Sequence, residues 1–193
     1  MPAEPRRSDA MPLDPLPDLG RSMRFEVERK FLVASDDWRR AATGRRRLRD
    51  GLIVQAGGGK VRVRLDETRA WLTVKGPRTG LGRPEFEYEI PPSDAEAMME
   101  AVCPGDQIQK VRHSVPHAGL VWEVDVFEGD LAGLILAEVE VAHETQPLLV
   151  PSWAGPEVSA DPRFRQTALL RLRAETGRPL TLDDVLASTP TAA

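Results

Sequence analysis

From residue 23 onward the chain places charged and apolar residues in alternation, and it sorts the charges by sign from strand to strand. In "MRFEVERKFLV", residues 23 to 33, Glu26, Glu28 and Lys30 fall on one side of an extended strand, and Phe25, Val27, Arg29 and Phe31 on the other. Arg62 and Arg64 then stand opposite Val61, Val63 and Leu65, and Thr73 and Lys75 opposite Leu72 and Val74. Glu85, Glu87 and Glu89 alternate with Phe86, Tyr88 and Ile90, while Lys110 and Arg112 flank Val111. Glu123 and Asp125 alternate with Trp122, Val124 and Val126, and Glu138 and Glu140 with Ala137, Val139 and Val141. One such strand describes an ordinary antiparallel sheet with a wet face. The series is harder to leave in water, because like charges along a strand or directly across from one another cost energy. Cations among the carboxylates and an anion among the Lys and Arg groups relieve that cost.

The apolar faces need cover, which inverts a small barrel: apolar side chains outward to helices, charged ones inward to a tunnel. Helix-start chemistry at Ser35, Asp36 and Asp37 predicts a helix near 35–48, with Arg45, Arg46, Arg47 and Arg49 at a solvated basic end and loop. A second helix near 93–103 opens at Ser93 or Asp94 and buries Ala97, Met98 and Ala101. A third, near 162–174, takes Asp161 as its cap and Pro162 in its first turn, and a short helix follows from near Thr181. Strands meet through Gly57, Gly58 and Gly59 and across the loop "GPRTGLG". A tunnel with an acidic and a basic sector suits a polyphosphate chelated by divalent metal. Carboxylate oxygens suit Mg²⁺ or Mn²⁺, and Lys and Arg suit phosphate oxygens.

Composition removes several other classes. At 193 residues the chain is long enough for one domain with a real core, and the stretch 1–22, with five prolines and no periodicity, reads as a flexible Pro-rich tail. Aromatic content of 5% argues against a base-stacking nucleic-acid surface, and a net charge of −4 is too mild to choose a partner by its global field. No apolar run approaches the roughly 20 residues that span a bilayer, and the first residues lack the apolar stretch expected of a secretory signal. The single cysteine, Cys103, allows no intramolecular disulfide and reads as a small buried apolar residue. The expected setting is cytoplasmic. His113, His117 and His143 are isolated, and the glycine run is not a P-loop, since Lys60 is followed by Val61.

Taken in order, "VRVRL", "LTVKG", "RPEFEYEIP", "KVRH", "WEVDVFEGDLAGLILAEVEV" and "DPRF", behind an E-x-E-x-K signature at Glu26, Glu28 and Lys30, resemble the CYTH superfamily, the triphosphate tunnel metalloenzymes. The resemblance covers residues 23 to about 170 and is closest to short bacterial inorganic triphosphatases. It implies a CYTH domain over 23–193 with an α+β fold: an eight-stranded antiparallel β-barrel tunnel with a charged interior and helices packed outside. It also implies hydrolysis of tripolyphosphate to pyrophosphate and phosphate, with Mg²⁺ or Mn²⁺ as cofactor. Lys30, Arg62, Arg64, Lys75, Lys110 and Arg112 are expected to hold the triphosphate. Glu26, Glu28, Glu85, Glu87, Glu123, Asp125, Glu138 and Glu140 are expected to supply the metal-binding acids and their support, Glu26, Glu28 and Glu140 foremost. Glu26, Glu28 and Lys30 form the expected catalytic group. Two departures from the family pattern stand out: "IVQAGGGKVRVR" keeps Gln55 but lacks the family's tyrosine, which bears on substrate preference and turnover, and "FRQTALL" places Gln166 at or near an asparagine position. Other readings of the same tunnel are an adenylate cyclase or a nucleoside or thiamine triphosphatase. A reading from another class is a non-catalytic polyphosphate-binding module. The partner expected throughout is a small-molecule polyphosphate, with no nucleic acid and no membrane; a homodimer is left open.

Overall fold

The computed structural model describes residues 24–103, 105 and 107–190, so the expected flexible tail at 1–22 lies outside the described residues. The strands are β1 (Phe25–Val33), β2 (Gly44–Ala56), β3 (Gly59–Leu65), β4 (Ala70–Lys75), β5 (Gly82–Ile90), β6 (Ile108–His117), β7 (Leu120–Glu128), β8 (Ile135–Glu140) and β9 (Ala154–Glu157). The helices are α1 (Trp38–Ala41), α2 (Pro92–Ala101), α3 (Gln166–Thr176) and α4 (Leu182–Ala187). All pairings are antiparallel, in the order β5-β4-β3-β2-β6-β7-β8-β1-β9. Strand β1 closes the sheet on itself, because Phe25–Val27 pair with Gly82–Pro84 of β5 while Glu28–Leu32 pair with β8. The result is a ring of eight strands, with β9 laid beside the end of β1. This is the expected α+β architecture.

Two tight hairpins set the register. Between β2 and β3, Gly57 and Gly58 have φ of +56° and +77° and join Ala56 to Gly59, the two-residue loop whose twist matches that of its strands. The β6–β7 loop repeats the device with Ala118 and Gly119, at φ +49° and +82°.

The helix expected near 35–48 is corrected. Only Trp38–Ala41 is helical, and Arg45, Arg46, Arg47 and Arg49 lie on β2, paired to β6 on one edge and, from Arg49 onward, to β3 on the other. Central placement in the sheet outweighs the helix-start signal of the acidic triplet, as tertiary pairing overrides weak local propensity. Helix α2 buries Ala95 and Met99, one turn apart, rather than Ala97 and Ala101, which are exposed; Met98 is half-buried. Asp161 does cap, but its carboxylate accepts from the Arg163 N–H of a 3₁₀ turn at Pro162–Phe164, and α3 begins only at Gln166. At Thr181 the hydroxyl and the Asp184 carboxylate cap each other's backbone, starting α4 as expected.

Three apolar clusters fix the ring. On the outer face, Phe31, Val115, Trp122, Val124, Ala137 and Val139 pack with Trp38 and Trp153. Helix α2 covers β3 and β4 through Val63, Ala70, Ala95, Met99 and Cys103, and a Cβ on Gly51 would come within 2.7 Å of the Cys103 Sγ, which keeps that strand position bare. The third cluster bears on the site. Ile108, Phe127 and Leu136 continue the faces of Lys110, Asp125 and Glu138 by one two-residue step, and they pack with Phe164, Leu169, Leu180 and Val185. The charged rows of β6, β7 and β8 therefore run onto an apolar floor contributed by the C-terminal helices.

Trp122 is fully buried, with ring centroids 5.1 Å from Phe31 and 5.5 Å from Trp153. Trp122→Ala is expected to lower unfolding free energy by about 3–5 kcal/mol, measured by urea denaturation. A loss under about 1 kcal/mol would show that this outer cluster does not hold the ring.

Candidate active site

The inward faces enclose a cavity of about 950 Å³ lined by twelve Lys and Arg side chains and seven Glu. Of the residues expected from the sequence, Glu26, Glu28, Lys30, Arg62, Arg64, Lys75, Glu85, Glu87, Arg112, Glu123, Glu138 and Glu140 all line it. Lys110 and Asp125 do not. They lie beneath the lining, fully buried, with Lys110 Nζ donating to Asp125 at 2.5 Å. Asp125 in turn receives Nε and Nη2 of Arg112, each at 2.7 Å, so the pair sets the orientation of a guanidinium that does line the cavity. Arg112 also donates to Glu138 at 2.7 Å and to Glu123.

Register explains the pairing. Lys30 stands across from Glu138 and bonds it at 2.8 Å. Burial disfavours the Glu138 carboxylate, but Lys30 and Arg112 hold it well below the ordinary glutamate range. Lys75 Nζ reaches both oxygens of Glu26 at 3.0 Å and Glu85 at 2.8 Å, and Arg83 Nε adds a bond to Glu26 at 3.0 Å. With its cations turned toward Glu26, Glu85 is pushed up to about 7 by burial and by the Glu26 carboxylate beside it. Glu87 is tethered more loosely, accepting from the Thr73 hydroxyl at 3.1 Å, which itself accepts from Arg62.

Two places are left uncompensated. Glu28 lies directly across β1–β8 from Glu140, and among the described residues neither carboxylate has a hydrogen-bond or ion-pair partner. Burial, and then the Glu138 and Glu26 charges, raise Glu28; burial, and then Glu26, Glu123 and Glu28, raise Glu140. The converse stands on β3 and β4, where Lys60 faces Lys75. Lys60 has no acidic partner among the described residues, and burial followed by Arg62, Arg83, Lys75 and Lys30 pushes its ammonium well below the usual lysine range.

The sequence reading missed several residues. Asp50 is buried on β2 and grips Arg64 with both oxygens, at 2.7 and 2.8 Å; burial works against its charge, but Arg64 and Arg62 hold it well below the aspartate range. Asp50 fell in the stretch read as a basic helix end and loop, so its register opposite Arg64 was hidden. Lys60 and Arg83 were visible in principle, since each extends an assigned row, Arg62–Arg64 or Glu85–Glu87, by one step of two. Arg46, Arg78 and Arg165 line the cavity from β2 and from loops and carry no such signal. Gln55 and Gln166, at the two departures from the family pattern, also line it.

Among the described residues no three metal-binding side chains converge on one point. Mg²⁺ needs fewer: one or two carboxylates, with substrate phosphates completing its shell. The unpaired Glu28 and Glu140 fit that requirement.

A family model described as the CYTH domain matches residues 24–164. A protein of Acetivibrio thermocellus named inorganic triphosphatase is 39% identical over 149 residues, covering 77% of this chain and 95% of that protein. One of Nitrosomonas europaea with the same name is 37% identical over 150 residues, covering 75% and 95%. A crystal structure of an inorganic triphosphatase superposes with a TM-score of 0.53 at 31% identity, over 75% of this chain and 93% of that one.

Glu85 provides a test of this electrostatic arrangement. A carboxyl raised from 4.5 to about 7 binds its proton more tightly folded than unfolded, so its stabilising contribution is complete below about pH 4.5 and is lost as pH rises through 7. Urea midpoints are expected to fall between pH 5 and 7.5, and Glu85→Gln to flatten that fall. An unchanged slope in the variant would contradict the assignment.

Proposed function

The chain belongs to the CYTH domain family, and on that premise we propose that it is a divalent-metal-dependent hydrolase that cleaves inorganic tripolyphosphate to pyrophosphate and phosphate. The observation that carries the reading is charge left over in both signs inside one cavity: Glu28 against Glu140, and Lys60, which among the described residues has no acid to pair with. A metal–polyphosphate complex brings a cation for the two carboxylates and an anion for the ammonium. Two relatives named inorganic triphosphatase support the same substrate class.

Glu28 and Glu140, with Glu26 beside them, are the residues proposed to hold the ion, Mg²⁺ or Mn²⁺. When bound, that ion supplies charge neutralisation at phosphate oxygens and an acidified water. Lys30, Arg62, Lys75 and Arg112 bind the phosphate oxygens and stabilise the charge that develops on the transferring phosphoryl group and the departing pyrophosphate. Arg64 serves the same chain from the end where Asp50 clamps it. Lys110 and Asp125 act through Arg112, as positioning residues. Glu85, Glu87, Glu123 and Glu138 keep these cations in place, so that they are preorganised before substrate arrives. No side-chain nucleophile is required. The setting is proposed to be cytoplasmic, in keeping with a single cysteine that is buried and unpaired.

The testing experiment is phosphate release from tripolyphosphate, pyrophosphate, ATP and thiamine triphosphate, each with Mg²⁺ and with Mn²⁺. Tripolyphosphate is expected to be turned over fastest; cyclic AMP from ATP, or no release from any substrate, would overturn the reading. Glu28→Gln is expected to lower metal-dependent turnover by about a hundredfold or more, the scale of losing a charge-stabilising contact, with the circular dichroism spectrum retained. Full activity in that variant would remove Glu28 from the site.

A further inference from the structure

Arg78 lines the cavity from the loop between β4 and β5, outside every strand row. Among the described residues it has no ion-pair partner, and its one hydrogen bond runs from Nη1 to the Leu81 carbonyl at 2.8 Å. Burial, and then the Arg83 charge, weigh against the Arg78 cation, while Glu28 and Glu26 favour it. An arginine with most of its donor fork open therefore stands in the field of two carboxylates proposed to meet the ion.

Leu81 links this arginine to a residue that does not line the cavity. Its N–H donates to Glu144 Oε1 at 2.6 Å while its carbonyl receives Arg78, so its backbone is gripped on both sides. The loop is shaped for that grip. Thr79 and Gly82 exchange two backbone bonds, at 2.9 and 3.2 Å, and Gly80 between them takes a φ of +61°. A Cβ on Gly80 would collide with the Glu144 carboxylate, so only glycine admits it. Pro77 packs against the β2–β3 hairpin, where a Cβ on Gly58 would lie 3.2 Å from the Pro77 Cβ. Glu144 is itself held in a closed turn: Ala142 N–H donates to Gln146 Oε1 at 2.7 Å, and Gln146 N–H to the His143 carbonyl at 3.0 Å. That turn leaves β8 just after Glu140, with Val141 N–H tied to Val27 of β1 at 3.0 Å. The two strands that carry Glu28 and Glu140 thus also root the clamp on the Arg78 loop.

We propose that Arg78 binds a phosphate oxygen beside Glu28, and that Glu144, acting through the Leu81 backbone, is its positioning residue. This rests on the polyphosphate reading above and adds to it a cation carried by a loop instead of a strand row. A guanidinium anchored by one nitrogen keeps its remaining donors for the phosphate. A loop without the clamp would leave that side chain and its backbone to be ordered on binding, and fixing them beforehand removes the cost.

The test is calorimetric binding of tripolyphosphate to the full chain in EDTA, so that turnover plays no part. Arg78→Met is expected to weaken binding by about tenfold or more, the scale of a lost hydrogen bond to a charged group, and Glu144→Ala to weaken it severalfold. Glu144→Gln, whose amide oxygen still accepts from the Leu81 N–H, is expected to stay close to wild type. Removing a negative charge near an anion site by itself tightens binding, so a loss in Glu144→Ala that Glu144→Gln restores isolates the positioning. The double variant Arg78→Met with Glu144→Ala is expected to bind no more weakly than Arg78→Met, because Glu144 acts through that arginine. Wild-type affinity in Arg78→Met, equal affinities in Glu144→Ala and Glu144→Gln, or losses that add in the double variant would overturn the proposal. A wild-type chain that binds no tripolyphosphate would overturn the polyphosphate reading and this one with it. Absence of phosphate release with the binding pattern intact would strike the catalytic reading alone and leave the clamp supported.

Discussion

Buried charge must be answered by opposite charge, and the interior of this ring is arranged around that demand. Arg112 shows the rule: one guanidinium serves Asp125, Glu138 and Glu123, while Asp125 also holds Lys110 and Glu138 also holds Lys30. Removing ions from water costs several kcal/mol each after relaxation, and only close, well-directed partners offset it. Such a network contributes little to net stability, but it permits few alternative arrangements. Its benefit lies in holding cations at fixed positions where a polyanion can meet them without reorganisation.

The same demand left unmet marks where the ligand goes. Glu28 against Glu140 is a cross-strand like-charge pair, which a sheet pays to keep, and Lys60 has no acid to pair with among the described residues. Nothing in the backbone requires them there; the outer apolar faces fix the strand phase, and the charges follow. Both places sit in one cavity, so a single bound species of mixed sign relieves both.

Closure makes this possible. Strand β1 carries the E-x-E-x-K row and bridges β8 to β5, so the acidic rows of β5, β7 and β8 and the basic rows of β3 and β6 face one space rather than opposite sides of an open sheet. The C-terminal helices finish the enclosure with Phe164 and Leu169 on the floor and the start of α3 on the wall. An apolar floor lowers the local dielectric and strengthens the electrostatic interactions above it.

Period-two alternation, readable in the chain from Phe25 to Glu140, determined that there would be strands, which side of each was polar, and that the charged sides were too segregated for water. That information is local: side chains alternate across a strand whatever its neighbours do, which is why Glu26, Glu28, Arg62 and Glu138 were legible from spacing alone. Only the tertiary structure decided which residues meet. It moved Arg45 to Arg49 from a helix end to a central strand, turned Asp50 into the clamp of Arg64, sank Lys110 and Asp125 beneath the lining, and brought Gln166 to Lys60, more than a hundred residues away along the chain. Those outcomes depend on register and on ring closure, which arise from pairings between distant strands and from the packing of helices, and no local pattern of residues encodes them.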